Sequence, residues 1–202
     1  MLGRTLLALC ITSLVACSKE KDRAAITVDT ATIGATPRQS SAVTSTCGNE
    51  FIGAEGIGRV SIGAPLDSVR VSCKVVRDTT VRADEGTMAR KVTVSLSSDT
   101  VVAEIVNGRV WRVEVNSSRF RTRDSLGVGT PLERLLTLED PRGVNGEGRY
   151  YVLSPDHCGL SFRLSEGWNP QTVRIPIDRA KLSRLPRSVV VSQVLITGCP
   201  ND

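Results

Sequence analysis

The position near the amino terminus with the most distinctive surroundings is Cys17. It follows an apolar stretch that begins at Leu6 and ends in Leu14-Val15-Ala16, and Arg4 precedes that stretch. The stretch is shorter than the roughly 20 residues that a membrane-spanning helix needs, and the charged run 19–23 follows Cys17 almost at once. A positive charge, a short apolar segment and small residues before a cleavage point are typical of an export signal. The sequence therefore predicts that residues 1–16 are a signal peptide.

The segment Leu14-Val15-Ala16-Cys17 resembles the lipobox of bacterial lipoproteins. The resemblance implies that the peptide before Cys17 is cleaved and that the thiol is diacylated. In that family a residue other than Asp after the cysteine, here Ser18, implies delivery to the outer membrane of a two-membrane cell. More than one acyl chain gives stable anchoring. We therefore expect an exported protein that lipid holds on the periplasmic side of an outer membrane, with the number of host membranes left open.

Residues 17–46 are rich in Ala, Thr and Ser and contain few large apolar side chains. Such a composition cannot bury enough apolar surface to offset the entropy lost on ordering. As a flexible coil it would span about 30 Å. We expect residues 17–46 to be a lipid-anchored tether and residues 47–202 to be a single folded domain.

Four cysteines remain once Cys10 leaves with the signal and Cys17 is acylated. An even number in an oxidising compartment indicates two disulfides, for which three connectivities are possible. We predict the pairing in which each bridge brackets one half of the domain, and each closure is worth roughly 3 to 4 kcal/mol in the chain-entropy model. The predicted pairs are Cys47–Cys73 and Cys158–Cys199.

Other residue patterns predict no catalytic residue, no cofactor and no metal ligand. Zinc prefers closely spaced ligand pairs, and the sequence has no Cys-x2-Cys. The single histidine, His157, adjoins Cys158, and because neighbours on a strand point to opposite faces we interpret it as a turn residue. A Gly-x-Ser-x-Gly motif is missing too. The glycine-rich segments 53–58 and 143–148 are interpreted as loops, since no strand-glycine-helix unit surrounds the first. Asp78, Asp84 and Glu85 could bind Ca²⁺, but their spacing fits no Ca²⁺-binding loop, and we interpret them as part of a polar connection. Glu139-Asp140 is interpreted as a solvated helix end.

Composition describes an ordinary globular domain rich in branched aliphatic residues. Apolar residues make up 40% of the chain and aromatic residues 3%, so the core must consist of Val, Leu and Ile, which favours strands. The net charge of +5 comes from arginines scattered among acidic residues. A nucleic-acid-binding surface needs clustered cations and stacking aromatics. We therefore expect no nucleic-acid partner.

One eight-residue pattern occurs twice. Residues 62–69 read IGAPLDSV and residues 128–135 read VGTPLERL, which match in kind at each position. In the second copy Thr130 can be the N-cap, Pro131 the first helical residue, and Glu133 the acidic member of a capping box. Each copy predicts a short helix, the first ending near Cys73 and the second ending before Pro141.

Alternating apolar residues predict antiparallel strands after each helix. Residues 91–96 alternate, and residues 178–185 and 188–197 predict a short helix and a last strand. Residues 150–153 and 158–162 predict a hairpin whose apolar face consists of Tyr151, Leu153, Cys158, Leu160 and Phe162.

The segment 101–115 predicts a second hairpin around Asn107-Gly108. A two-residue turn there would set Glu104 opposite Trp111 and so mix charge into the apolar face. We therefore predict a three-residue loop, 106–108, that pairs Ala103 with Trp111 and places Trp111 in the core.

The Gly-x-Pro-Leu helix start followed by antiparallel strands resembles small periplasmic helix-plus-sheet modules, among them the outer-membrane assembly lipoprotein of the BamE type and β-lactamase-inhibitor-like domains. The resemblance transfers no functional residue. We predict an α+β fold of two pseudo-repeated halves, about 47–120 and 121–202, each a short helix plus antiparallel strands and each closed by a disulfide.

An anchor, a tether and the lack of catalytic motifs favour a non-catalytic module that binds or scaffolds a protein partner in the cell envelope. The expected contact is an exposed sheet face or an edge strand. Two alternatives stay open. A hydrolase acting on envelope polymers would need facing carboxylates in a cleft, and a protein that binds a small ligand or anion would need an arginine-lined concavity.

Overall fold

The computed structural model of the protein describes residues 47–82, 88–97, 99–146, 148–167 and 177–200. The predicted signal peptide, the predicted tether and Cys17 lie outside the described residues. Within those residues, no helix is long and apolar enough to cross a membrane.

The described residues form mainly antiparallel strands, with short helices between them. The helices are α1 (Leu66–Ser72), α2 (Leu132–Leu135) and α3 (Arg179–Leu182), and a 3-10 turn covers Pro155–His157. The strands in chain order are β1 (Ile52–Gly53), β2 (Gly56–Ile57), β3 (Val60–Ser61), β4 (Lys74–Arg82), β5 (Met88–Ser95), β6 (Thr100–Val106), β7 (Arg109–Val115), β8 (Arg142–Gly146), β9 (Arg149–Leu153), β10 (Leu160–Gly167) and β11 (Val191–Ile196).

The described strands lie in two sheets. Strands β1, β2 and β3 make a small sheet, and the large sheet has the order β4-β5-β6-β7-β11-β10-β9-β8, with every pair antiparallel. The large sheet thus joins two meanders where β7 pairs with β11, with Val115 opposite Val194. The prediction of antiparallel strands, short helices and two disulfides is confirmed, and the domain is richer in sheet than the sequence suggested.

The core lies on one face of the large sheet. Strands β5 and β6 alternate as predicted, so Val92 and Val94 are fully buried while their neighbours are not. The helices and the small sheet contribute buried side chains to the same cluster, namely Ile52, Ile57, Val60, Leu66, Val69, Leu132, Leu135 and Leu182. In β5 this alternation leaves the opposite face of the sheet to Lys91, Thr93 and Ser95.

Matching backbone hydrogen bonds tie the start of α1 to β7 and the start of α2 to β11. Gly63 N donates to Val110 O (2.8 Å), and Val110 N donates back to Ala64 O (2.9 Å). At the second site Gly129 N donates to Val191 O (2.7 Å), and Val191 N donates to Thr130 O (2.8 Å). Each helix is thereby held against the last strand of the meander that follows it.

The predicted capping box at Thr130 is wrong. Pro131 is the N-cap with extended backbone angles (φ −62°, ψ 145°), no side chain caps the helix, and α2 has only four residues. The buried Thr130 hydroxyl instead accepts hydrogen bonds from Gly127 N (2.9 Å) and Arg121 Nη1 (3.1 Å). Because the bridge to β11 keeps this backbone extended, the helix begins after the position that local pattern favours.

The predicted three-residue loop in the β6–β7 hairpin is wrong. Asn107 (φ 51°) and Gly108 (φ 73°) form a two-residue turn with both residues in the left-handed region, as type I′ hairpins require. Val106 pairs with Arg109 and Glu104 pairs with Arg112, so Trp111 is the extra residue of a β-bulge. Val110 and Val113 fill the core, and Trp111 is 62% exposed.

The predicted face of the β9–β10 hairpin is shifted by one residue. Phe162 lies opposite Val152, and Arg163 lies opposite Tyr151, so Val152 rather than Tyr151 shares the core with Phe162. Cys158 follows the 3-10 turn and is exposed, where a buried position was predicted. Cys158 and Gly159 lie outside the ladder together with the 3-10 turn, so the connection is longer than the predicted four-residue turn and the register changes.

The glycine-rich segment 143–148 was predicted to be a loop, but residues up to Gly146 belong to the edge strand β8. Gly143 exchanges hydrogen bonds with Ile177 (2.7 and 2.8 Å). A Cβ at Gly143 would lie 2.9 Å from side-chain atoms of both Ile177 and Leu182. The glycine here allows close packing of the segment around α3 against the sheet.

Candidate functional site

The predicted disulfides Cys47–Cys73 and Cys158–Cys199 are both present, with Cα–Cα distances of 4.7 and 5.1 Å. The first connects the start of the described domain to the C-cap of α1, and both of its cysteines are buried. The second connects the end of the 3-10 turn to the residues after β11. The lipid-attachment prediction for Cys17 concerns a residue outside the described ranges.

Of the three acidic residues considered for Ca²⁺, only Asp78 lies within the described residues. The prediction that Asp78 lies in a connection is wrong, because it lies on strand β4. Its carboxylate accepts hydrogen bonds from Arg90 (2.8 Å) and Arg70 (2.8 Å), while Asp84 and Glu85 lie outside the described residues. The hydrogen bond from Arg90, with a further one from Arg70, holds the pKa of Asp78 below its ordinary value. Across the described ranges, no group of three or more His, Cys, Asp or Glu residues is placed to hold a metal ion. Asp78 is therefore one partner of an ion-pair cluster with two arginines.

Glu139 and Asp140 each contact a neighbouring polar group. The carboxylate of Asp140 pairs with Arg142 (2.6 Å), and the backbone N–H of Glu139 donates to Asp156 (3.0 Å). The carbonyl of Glu139 accepts from the Ser154 hydroxyl (2.6 Å). These contacts fasten the end of the α2 segment to the 3-10 turn.

A cleft of about 570 Å³ lies between the small sheet and the 3-10 turn, and we call it the His157 cleft. His157 Nε2 lies 3.2 Å from an oxygen of Asp124, and the imidazole meets the Phe162 ring edge to face at 5.9 Å. Thr122 holds the other oxygen of Asp124 at 2.6 Å. In the described part of the chain, no serine, threonine or cysteine side chain hydrogen-bonds to His157.

The other carboxylates of the His157 cleft serve as acceptors for backbone groups. Glu55 accepts a hydrogen bond from Cys199 N (3.0 Å), and Asp156 accepts one from Glu139 N (3.0 Å). The segment 53–58 was predicted to be a loop, but Gly53 belongs to β1 and Gly56–Ile57 to β2, and Glu55 lies in the tight turn between these strands. The carboxylates of the cleft therefore fasten neighbouring segments to one another.

The pairing of Asp124 with His157 has a testable consequence for stability. Burial acts to raise the pKa of Asp124, but hydrogen bonds from Thr122 and from its own backbone, with the attraction of His157, outweigh it and lower the pKa. A lowered folded-state pKa stabilises the fold above the unfolded-state pKa of about 3.9, and this contribution is lost as the pH falls through the folded-state value. We expect Asp124→Asn to lower the melting temperature at pH 6 and to have little effect at pH 3.

Thermal unfolding of both proteins at the two pH values measures this difference. Asp67→Asn is the matched control, because Asp67 has 90% of its side chain exposed and pairs only with Arg70 among the described residues. Exposed ion pairs contribute little, so the control should resemble the wild type at both pH values. A deficit for Asp124→Asn that stays the same at pH 3 would contradict the linkage.

The face of the large sheet opposite the core carries a network of ion pairs, which we call the polar face. It is defined by Lys91, Glu104, Arg112, Glu114, Arg163 and Gln193. Lys91 pairs with Glu114 (2.8 Å), and Arg112 pairs with Glu104 (2.8 Å) and approaches Glu114 (3.5 Å). These four side chains are 12–31% exposed. They border a hollow of about 250 Å³ in the middle of the sheet.

Gln193 links the two meanders within the polar face. Its side chain lies on β11 and the residue is 8% exposed. The amide Nε2 donates to Asn116 Oδ1 (2.9 Å) and lies 3.4 Å from Glu114, while Oε1 accepts from Arg163 Nη1 (3.2 Å). The amide orientation is thereby determined at both ends.

Sequence reasoning did not identify the polar face, although its signal was present. Charged residues lie among the outward positions of β5, β6 and β7, and in the observed register Lys91, Glu104 and Arg112 lie in one cross-strand row. Opposite charges on neighbouring strands attract. The two-residue turn that was rejected for setting Glu104 against Trp111 instead sets Glu104 against Arg112, because of the bulge.

Comparisons with known proteins give little further information. Neither the protein-family models nor the curated proteins contain a match to this chain. Among solved structures, the chain is similar to the uncharacterized protein yfeY from Escherichia coli, with 17% sequence identity and a TM-score of 0.48, over 74% of this chain and 98% of that one.

Proposed function

We propose that this protein is a non-catalytic lipoprotein of the cell envelope, anchored through Cys17 and binding a protein partner through the polar face. The lipobox-like segment 14–17 and the length of the tether support the anchor. The two disulfides support export, since such bonds form and persist in oxidising compartments. Under this proposal the protein lies on the periplasmic side of an outer membrane, because Ser18 follows Cys17.

The observation that carries the proposed binding role is the ordered charge network of the polar face. Its side chains are held by one another on a rigid sheet, so little conformational entropy remains to be lost when a partner binds. Positive and negative side chains are paired on this face, with Glu104 and Glu114 next to Lys91 and Arg112. Such a pattern selects partners by electrostatic complementarity and speeds their association.

The polar face also follows from the proposed internal duplication of the domain. Under this proposal each half consists of one short helix and one four-strand meander, and the two last strands pair at the centre of the sheet. The matching hydrogen bonds at 63–66 and 129–132 and the repeated Gly-x-Pro-Leu segment support this view. The two halves then present one continuous surface, with Gln193 on the seam.

Site-specific photocrosslinking in intact cells tests the binding role. A photoreactive residue replaces Thr93 or Val102, which are half-buried on the polar face, in the full chain expressed at its native level. We expect a discrete adduct with one protein from these positions. Val71 on α1, which is 89% exposed, is the control and should give no such adduct despite its greater exposure.

Thermal unfolding of each variant checks that the fold is retained before crosslinking. If Thr93 and Val102 yield no protein adduct, or if Val71 yields the same adducts, the proposed partner-binding role of the polar face is wrong.

A further inference from the structure

The arginine hollow is a concavity of about 300 Å³ on the same side of the sheet, next to Gln193. It is lined by Asn116, Arg149, Arg163, Ser165, Ser192 and Gln193. A liquid water molecule takes up about 30 Å³, so the hollow has room for an oxyanion together with the group that carries it. Among these lining residues there are two arginines and no carboxylate.

The carboxylates of the neighbouring network already have cationic partners. Glu104 pairs with Arg112, and Glu114 pairs with Lys91. Arg149 pairs through its backbone within the sheet, but its side chain forms no hydrogen bond or ion pair with another described residue. Among the described residues, the lining of the arginine hollow is therefore positively charged, whereas the neighbouring network contains both signs of charge.

Arg163 is held in position, and its side chain forms no ion pair with a carboxylate of the described residues. Its Nη1 donates to Gln193 Oε1 (3.2 Å), and its Nε is buried with no hydrogen-bond partner among the described residues. Gln193 cannot reverse its amide without losing the bond to Asn116. A guanidinium carries five N–H donors and binds oxyanions through two of them at once. A partly buried cation with unused donors is stabilised by an anion of matching geometry.

We infer that the arginine hollow is a binding site for an oxyanion, a carboxylate or a phosphate, held by Arg149 and Arg163. Of the two serines in the lining, the Ser192 hydroxyl donates to backbone carbonyls (3.2 and 3.3 Å), whereas Ser165 Oγ accepts from Val190 N (3.2 Å) and keeps its own O–H to donate. The anionic group has two possible sources, a free small molecule or an acidic side chain of a bound protein. The site stands independently of the proposed partner binding, since a free anion needs no protein partner.

Titration of the full chain with two probes tests the inference. The probes are inorganic phosphate and a hexaglutamate peptide, with a hexaglutamine peptide as the uncharged comparison, all at constant ionic strength. Binding is followed by NMR of the arginine Nε–H groups and by calorimetry. We expect saturable binding of at least one anionic probe, with shifts at Arg149 and Arg163. Phosphate binding alone indicates a free anion, peptide binding alone indicates a protein side chain, and binding of both indicates a shared oxyanion site.

Three single variants identify the site. Arg149→Gln and Arg163→Gln should each weaken binding by about tenfold or more, the range for loss of a charge-assisted hydrogen bond. The Arg149 side chain forms no hydrogen bond or ion pair with another described residue. The Arg149→Gln variant is therefore expected to fold normally even if Arg163→Gln does not. Arg187→Gln is the control, because 94% of that side chain is exposed. The inference is overturned if neither probe saturates, if Arg149→Gln binds like the wild type, or if Arg187→Gln loses as much affinity.

The outcome is separable from that of the crosslinking experiment. If neither probe binds but Thr93 or Val102 still yields a protein adduct, only the anion site is refuted. If an anionic probe binds but no adduct forms, only the proposed protein partner is refuted.

Discussion

Replacing both Cys47 and Cys73 with alanine is expected to lower the free energy of unfolding by at least about 3.5 kcal/mol. That figure is the chain-entropy contribution for the 26-residue separation of the two cysteines. Both residues are also about 4% exposed and belong to the core cluster, so removing their sulfur atoms adds a packing loss. Urea unfolding of the double variant and the wild type under non-reducing conditions measures the difference.

The second disulfide provides the matched comparison. Cys158 and Cys199 are 41 residues apart, which corresponds to about 4 kcal/mol from chain entropy. Because Cys158 is exposed and Cys199 is only half-buried, the Cys158→Ala, Cys199→Ala variant should lose little packing. We therefore expect the first double variant to be destabilised at least as much as the second, despite its shorter loop. A clearly smaller loss for the first variant would show that the buried sulfur atoms contribute nothing.

Phe162→Ala is expected to destabilise the domain by about 3 to 5 kcal/mol. Phe162 is fully buried on β10 and lies between Val152 on β9 and Val194 on β11. Its ring also supports His157 at the wall of the His157 cleft. The substitution leaves a cavity in the middle of the sheet, where backbone hydrogen bonds on both sides prevent collapse. Chemical denaturation with tryptophan fluorescence and circular dichroism as parallel probes measures the loss.

Phe51→Ala is the control for Phe162→Ala, since it removes the same atoms from a position that is 53% exposed. The ring of Phe51 faces the Arg123 guanidinium at 5.9 Å, a contact worth about 0.5 to 1 kcal/mol at an exposed site. The control should therefore lose about 1 kcal/mol or less. Equal losses for the two variants would mean that Phe162 is not part of the core.

Much of the local structure could be predicted from residue types and spacing. The apolar alternation in 91–96 predicted the buried Val92 and Val94, because strand side chains point to alternate faces whatever the strand pairs with. The disulfide pairing was also predictable, since each bridge closes a loop within one segment of the chain. The end of α1 near Cys73 was correct as well.

Strand register could not be predicted in the same way. The β6–β7 prediction assumed a regular ladder, and in a regular ladder a two-residue turn sets charge against Trp111. A bulge at Trp111 allows a two-residue turn and still keeps the valine side chains of β7 in the core. Hydrophobic periodicity, however, gives little indication of a bulge. The capping prediction at Thr130 failed for a similar reason, because hydrogen bonds to β11, some 60 residues later, keep that backbone extended.

The sequence by itself did not reveal the small sheet, β4 or β8, but it determined the alternation of β5, the sites of the short helices, which cysteines pair, and the lipobox-like context of Cys17. These features depend on neighbours a few residues away or on short loop closures. Only the tertiary structure decided which polar side chains meet. Gln193 and Glu114 are 79 positions apart and come together because β7 pairs with β11. A one-residue change in that register would send these side chains to the opposite face of the sheet. The polar face and the arginine hollow therefore depend on long-range pairing, which local patterns do not encode.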